Sequence, residues 1–106
     1  MSGLNYLHAG HAGNMNCSDF EKRLLATFRL TPSEPVSELV LIEAKNLGEP
    51  SASGRAPFSL LFRGPRAPVL EQSIRLLHER ELGKLDIFLV PIGPDEEGMV
   101  YEAVFN

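Results

Sequence analysis

The stretch "LDIFLVPIGPDEEGMVYEAVFN", residues 85–106, decides how this chain folds. Leu85, Ile87 and Leu89 alternate with Asp86, Phe88 and Val90, so both sides of the segment are largely apolar. That is the pattern of a central or doubly covered strand. Pro91 has no N–H to give a ladder, so the strand leaves its pairing there or bulges. The run GPDEEG (93–98) then turns the chain. Beyond it Tyr101, Ala103 and Phe105 alternate with Val100, Glu102 and Val104. A terminus frays unless it is tied down, and aromatic and branched residues this close to the end tie it into a sheet. The hairpin is read as the device that closes the sheet.

Working outward, the same two-residue period recurs. FSLLFRG (58–64) sets Phe58, Leu60 and Phe62 on one face, and SIRLLHE (73–79) sets Ile74, Leu76 and His78 against Arg75 and Leu77. In VSELVLIEAKNL (36–47), Val36, Glu38, Val40, Ile42 and Ala44 form one face, while Leu39 and Leu41 disturb the other. ATFRLT (26–31) puts Phe28 and Leu30 on the buried side. Pro32 and Pro35, the segment 48–57, and PRAPVLEQ (65–72) interrupt the strands. RELGK (80–84) is a tight connection around Gly83. Before the first strand, SDFE (18–21) fits a capping box in which Ser18 and Glu21 satisfy each other's backbone N–H groups, and Phe20 and Leu24 share a helical face. About two turns of helix are expected there, too few to persist without packing.

The expectation is therefore mainly β: a short N-terminal helix, then about six antiparallel strands in a small, strongly bent barrel, whose order of elements resembles Sm-like and SH3-like barrels. Residues 1–15 form a glycine-rich flexible leader, with Met15 a candidate start, and residues 16–106 form one domain. A chain of 106 residues buries roughly two-thirds of its unfolded surface and supports one core. With 43 % hydrophobic and 23 % charged residues it is globular rather than disordered. No apolar run reaches the roughly 20 residues of a membrane-spanning helix, and the N-terminus lacks a secretory pattern. The single Cys17 excludes an internal disulfide and fits a cytoplasmic setting.

RAPFSLLFRGP (55–65) and LHERELGKLDIFLVPIGPDEEGMVYEAVFN (77–106) resemble an uncharacterised bacterial family known as a domain of unknown function. The matching residues include Pro57, Gly64, Pro65, His78, Gly83, Asp86, Pro91, Gly93, Tyr101 and Asn106. The resemblance implies membership over roughly 18–106 and an association with phage-tail-like assembly. The order of elements also resembles the Sm-like fold of RNA-binding rings, with Arg63-Gly64 the one echo of their short Arg-Gly motif.

Chemistry-bearing residues are sparse. Cys17 lies near a helix N-terminus, the right field for a thiolate, but nothing downstream supplies a histidine base, so an incidental thiol is expected. His8 and His11 have no third ligand beside them, and zinc wants three or four. His78 and Glu79 point opposite ways in a strand, whereas acid–base catalysis needs convergence. A turn at Leu82-Gly83 would set Asp86 across from Arg80 or His78 as a structural pair. The acidic tip Asp95-Glu96-Glu97 is too short for a calcium loop and reads as a solvated turn.

Net charge is −4, which argues against a general polyanion binder. The distribution is uneven. Residues 55–84 carry a local +3 from Arg55, Arg63, Arg66, Arg75, Arg80 and Lys84 against Glu71, Glu79 and Glu81, leaving −7 elsewhere. Arg63 and Arg75 are placed on polar strand faces, Arg55 and Arg66 in flanking loops. Together Arg55, Arg63, Arg66 and Arg75 are the candidate nucleic-acid-binding set. No catalytic residue, metal or cofactor is expected. The leading expectation is a non-enzymatic module that self-associates or docks on a partner protein, because Phe88, Leu39 and Leu41 would be left exposed on a small barrel. An Sm-like binder of RNA or other single-stranded nucleic acid is the alternative.

Overall fold

The computed structural model describes residues 15–33, 35–50 and 56–106. The expectations for the leader through residue 14, for His8 and His11, and for Arg55 lie outside the described residues. A short helix α1 (Cys17–Glu21) precedes six strands: β1 (Thr27–Thr31), β2 (Glu38–Asn46), β3 (Phe58–Gly64), β4 (Ser73–Glu79), β5 (Gly83–Asp95) and β6 (Gly98–Phe105). All pairings are antiparallel, and the strands close into a barrel in the order β1-β2-β3-β6-β5-β4. Two three-stranded meanders, β1–β3 and β4–β6, are thus joined edge to edge along β3–β6 and β1–β4. The C-terminal hairpin closes the sheet as its sequence indicates, since β6 pairs with β5 on one side and β3 on the other.

Alternation fills the interior. Phe28, Phe58, Leu60, Phe62, Leu77, Leu85, Ile87, Leu89 and Tyr101 are buried, each contributing about 1.5–3 kcal/mol relative to exposure. Phe28 meets Phe62 edge-on with ring centroids 5.2 Å apart. At one barrel end Phe58 stacks on its register partner Phe105 with centroids 4.6 Å apart. Phe20 of α1 lies 5.9 Å from each ring and is fully buried, so the helix plugs that end. This packing, rather than intrinsic propensity, holds so short a helix.

Three local readings are corrected. The helix N-cap is Asn16, two residues before Ser18: the Asn16 N–H donates to the Asp19 carboxylate at 2.8 Å, and the helix ends at Glu21. On β2 the faces are reversed, Leu39 and Leu41 being fully buried and Glu38 exposed. A bulge at Ile42 causes part of the error. The ladder steps from Leu41↔Phe62 to Glu43↔Leu61, so Ala44 joins the core although its parity differs from that of Leu41. Third, Asp86 pairs with Leu76 rather than with Arg80 or His78, because the β4–β5 turn is tight enough to set Lys84 opposite His78. The interruption at Pro91 is a bulge, the register shifting between Pro91 and Gly93.

Candidate functional site

A depression of about 790 Å³, open to solvent, lies between the turn that follows α1 and the β4–β5 turn. Register builds its floor. Glu38 of β2, Arg29 of β1, His78 of β4 and Lys84 of β5 are successive cross-strand partners, an outward ionic row over four strands. Glu79 has the opposite parity and is only 5 % exposed. Its Oε1 accepts the backbone N–H groups of Glu81 and Leu82, both at 2.8 Å, and lies 3.7 Å from Arg23 Nε. Arg23 also pairs with Glu81 through Nη2. Glu79 is thereby the clasp of the β4–β5 turn, and it does not share a face with His78.

The rim mixes charge with apolar side chains, Glu38 standing across the ladder from Arg29. The side chains of Lys22, Arg29 and Arg80 engage no partner among the described residues, and Leu24 and Leu25 stand beside them. Leu25 is 75 % exposed and holds φ +71°, the left-handed region that a leucine rarely enters. Its N–H donates to Leu41 O at 2.7 Å, and the Leu41 N–H returns a bond to Ala26 O at 3.1 Å, which fixes the turn. Sequence reasoning missed this cluster and named none of its bases as a site residue. A helix that stops at Glu21 gathers these bases into one turn beside β1.

Of the predicted arginines that are described, Arg63 and Arg66 meet at Asp95, and Arg75 lies apart. Arg63 on β3 binds the Asp95 carboxylate with Nε and Nη2 and reaches Glu97 through Nη1 at 3.1 Å. Arg66 Nη2 donates to the Asp95 carbonyl at 2.6 Å. Hydrogen bonding from Arg63 above all, then from the Glu97 N–H, pushes the Asp95 pKa down to about 2, and the same pairing raises that of Arg63. Arg75 does not sit on a polar outer face. It pairs with buried Ile87, shares the parity of Leu77, and donates to Glu71 O at 2.8 Å. The acidic tip is a turn, as read: Asp95 Oδ1 accepts the N–H groups of Glu97 at 2.8 Å and Gly98 at 3.0 Å. Ile92 and Glu96 are exposed beside it, and the Glu96 side chain has no partner among the described residues.

On the outer face of β4, β5 and β6, Ile74 and Phe88 are direct register partners, 56 % and 49 % exposed, and Val104 projects with the same parity from β6. Cys17 is buried; burial, then the charge of Glu21 and the bond Sγ donates to it, raise the thiol pKa, the reverse of a reactive thiolate. Among the described residues no three His, Cys, Asp or Glu side chains gather to hold a metal, and no helix is long and apolar enough to cross a membrane.

No curated protein and no solved structure matches the chain. A family described as "Domain of unknown function (DUF6916)" matches over residues 15–105, the span from the residue before α1's cap to the last residue of β6. The barrel, its plug helix and the charged rim all fall inside that match, and the chain belongs to the DUF6916 family.

Proposed function

We propose that the protein is a non-enzymatic binding and assembly module that self-associates or docks on a partner protein. The observation that carries this reading is the outward Ile74–Phe88 pair, flanked by Val104. A barrel of this size has a complete core without them, and half-exposed aromatic and branched residues in one cross-strand line favour burial against another molecule. Leu39 and Leu41, expected to add to this surface, belong to the core. Phage-tail-like assembly, which the family resemblance implies, is one form such docking takes, and a cytoplasmic location suits it.

The alternative, an Sm-like RNA binder using Arg55, Arg63, Arg66 and Arg75, has less behind it. A phosphate would have to displace Asp95 and Glu97 from Arg63, and Arg75 lies on the inward parity of β4. Light scattering of the wild type against Phe88→Ser, with retention of partner proteins on each as bait, tests the proposal. A mass that rises with concentration, or a specific partner retained, either lost in Phe88→Ser at unchanged melting temperature, supports it. A strict monomer that retains no partner rejects it. Single-stranded RNA bound tightly at low salt and released steeply as salt rises would favour the alternative.

A further inference from the structure

The outward line of Ile74, Phe88 and Val104 is wider than those three residues. Leu76, Val90 and Leu61 are half-buried and share the outward parity of their strands, each following or preceding a core residue. Register sets Leu76 opposite Asp86, and sets Glu102 opposite both Val90 of β5 and Leu61 of β3. Two charged side chains therefore stand inside an apolar field, and both are carboxylates. Asp86 lies two residues before Phe88 and Glu102 two residues before Val104; because β5 and β6 are antiparallel, they fall on opposite flanks of the line.

Neither carboxylate forms a hydrogen bond or ion pair among the described residues. The bases on the same outward rows stand outside the field. Lys84 lies beyond Asp86 and opposite His78, and Lys45 lies across Ser59 from Val104. Arg63, two residues past Leu61, is held by Asp95 and Glu97. Glu43, opposite Leu61, extends the acidic flank.

These positions select what covers the face. A surface that shields Phe88 from water also shields Asp86 and Glu102, and a carboxylate removed from water without a counter-charge is strongly disfavoured. A second copy seated face to face adds two more carboxylates to the same apolar contact. A chain that offers apolar side chains to the line and a lysine or arginine to each flank satisfies both requirements.

We propose that this face docks a cationic, amphipathic segment of another protein, its apolar side chains covering Ile74, Phe88 and Val104 and its bases meeting Asp86 and Glu102. The inference rests on the partner-docking branch of the proposed function and names the partner's chemistry.

Titration of the full, isotope-labelled chain with three short synthetic peptides tests it, in which leucine alternates with lysine, glutamine or glutamate. The lysine peptide should bind about tenfold or more tighter than the glutamine peptide, weaken as salt rises, and shift the amides around Phe88. Phe88→Ser and the double variant Asp86→Asn/Glu102→Gln should each weaken it about tenfold or more. Glu49→Gln/Glu96→Gln, the same change in net charge at exposed positions elsewhere, should leave it unchanged. Asp86→Lys/Glu102→Lys should turn the preference to the glutamate peptide. Equal binding of the lysine and glutamine peptides, amide shifts away from Phe88, or equal loss in the two carboxamide pairs overturns the inference. A mass that rises with concentration and falls back in Phe88→Ser, with no peptide bound, overturns it and leaves the proposed function standing. A strict monomer that retains no partner and binds no peptide overturns both.

Discussion

Arg63 on β3 reaches over β6 to grip Asp95 at the end of β5. The strand it crosses offers glycine at the crossing: a Cβ on Gly98 would lie 3.3 Å from Arg63 Cγ and 2.1 Å from Gly64 O. One ion pair thus links three neighbouring strands and anchors the tip of the closing hairpin. Asp95 completes the turn by accepting the Glu97 and Gly98 N–H groups.

The first prediction concerns acid. Asp95 titrates near 2 in the folded chain, against 3.8 for an unperturbed aspartate. A carboxylate whose folded pKa lies below its unfolded value stabilises the fold fully above the unfolded value, and that stabilisation is lost as pH falls through the folded one. The tip should therefore hold its geometry at pH 4 and loosen only toward pH 2. Carbon-detected NMR titration of the Asp95 carboxyl checks this. In Arg63→Gln its midpoint should move up toward 3.8; an unmoved midpoint would show that Arg63 is not the cause.

Gly98→Ala should destabilise the barrel by steric conflict alone. The nearest obstacle is the backbone oxygen of Gly64, which cannot yield without opening the β3–β6 ladder. Overpacking of this kind costs about 1–3 kcal/mol, and a chain this size should lose at least about 4 °C in Tm per kcal/mol. Scanning calorimetry decides it, and a Tm within a degree of wild type would mean the strands separate more easily than the packing indicates.

The legible parts of the fold were those that obey a strict two-residue period. β1, β3, β5 and β6 present the faces their alternation predicts, with Phe28, Phe62, Ile87 and Tyr101 all inside. β2 misled because Ile42 is an extra residue, and a bulge reverses parity without any residue type that announces it. β4 misled because Arg75 and Glu79 share the inward parity of Leu77, while Ile74 faces solvent. The site was less legible still. Arg80 lies far from Lys22 and Arg29 in sequence and meets them only through the β1–β4 closure, and no local pattern encodes a partner strand. Arg63 and Arg66 were visible as bases, but not the acidic tip that occupies them.

Tyr101→Phe removes one oxygen from the core and should cost more than its size suggests. The Tyr101 hydroxyl accepts the Leu70 N–H at 2.8 Å, both residues being buried, and so pins the β3–β4 connection against β6. Phenylalanine leaves that N–H without an acceptor, a loss of about 1–3 kcal/mol. The urea midpoint should fall with an unchanged slope, and the Leu70 amide should exchange with solvent much faster than in the wild type. Equal exchange rates would show that the connection is held by packing alone.

Leu25→Gly should make the isolated chain more stable. Leucine at φ +71° carries a left-handed penalty of about 1–2 kcal/mol, which glycine avoids. Glycine gives back about 0.4–1 kcal/mol through the greater freedom of its unfolded chain. Little burial is lost, because the side chain is 75 % exposed. A net gain of about 0.5–1 kcal/mol is expected by denaturant unfolding under dilute conditions, where association contributes nothing. Leu25→Ala separates strain from contact: it removes most of the side chain but keeps the Cβ clash, so it should not share the gain. If alanine and glycine stabilise equally, backbone strain is not what Leu25 stores.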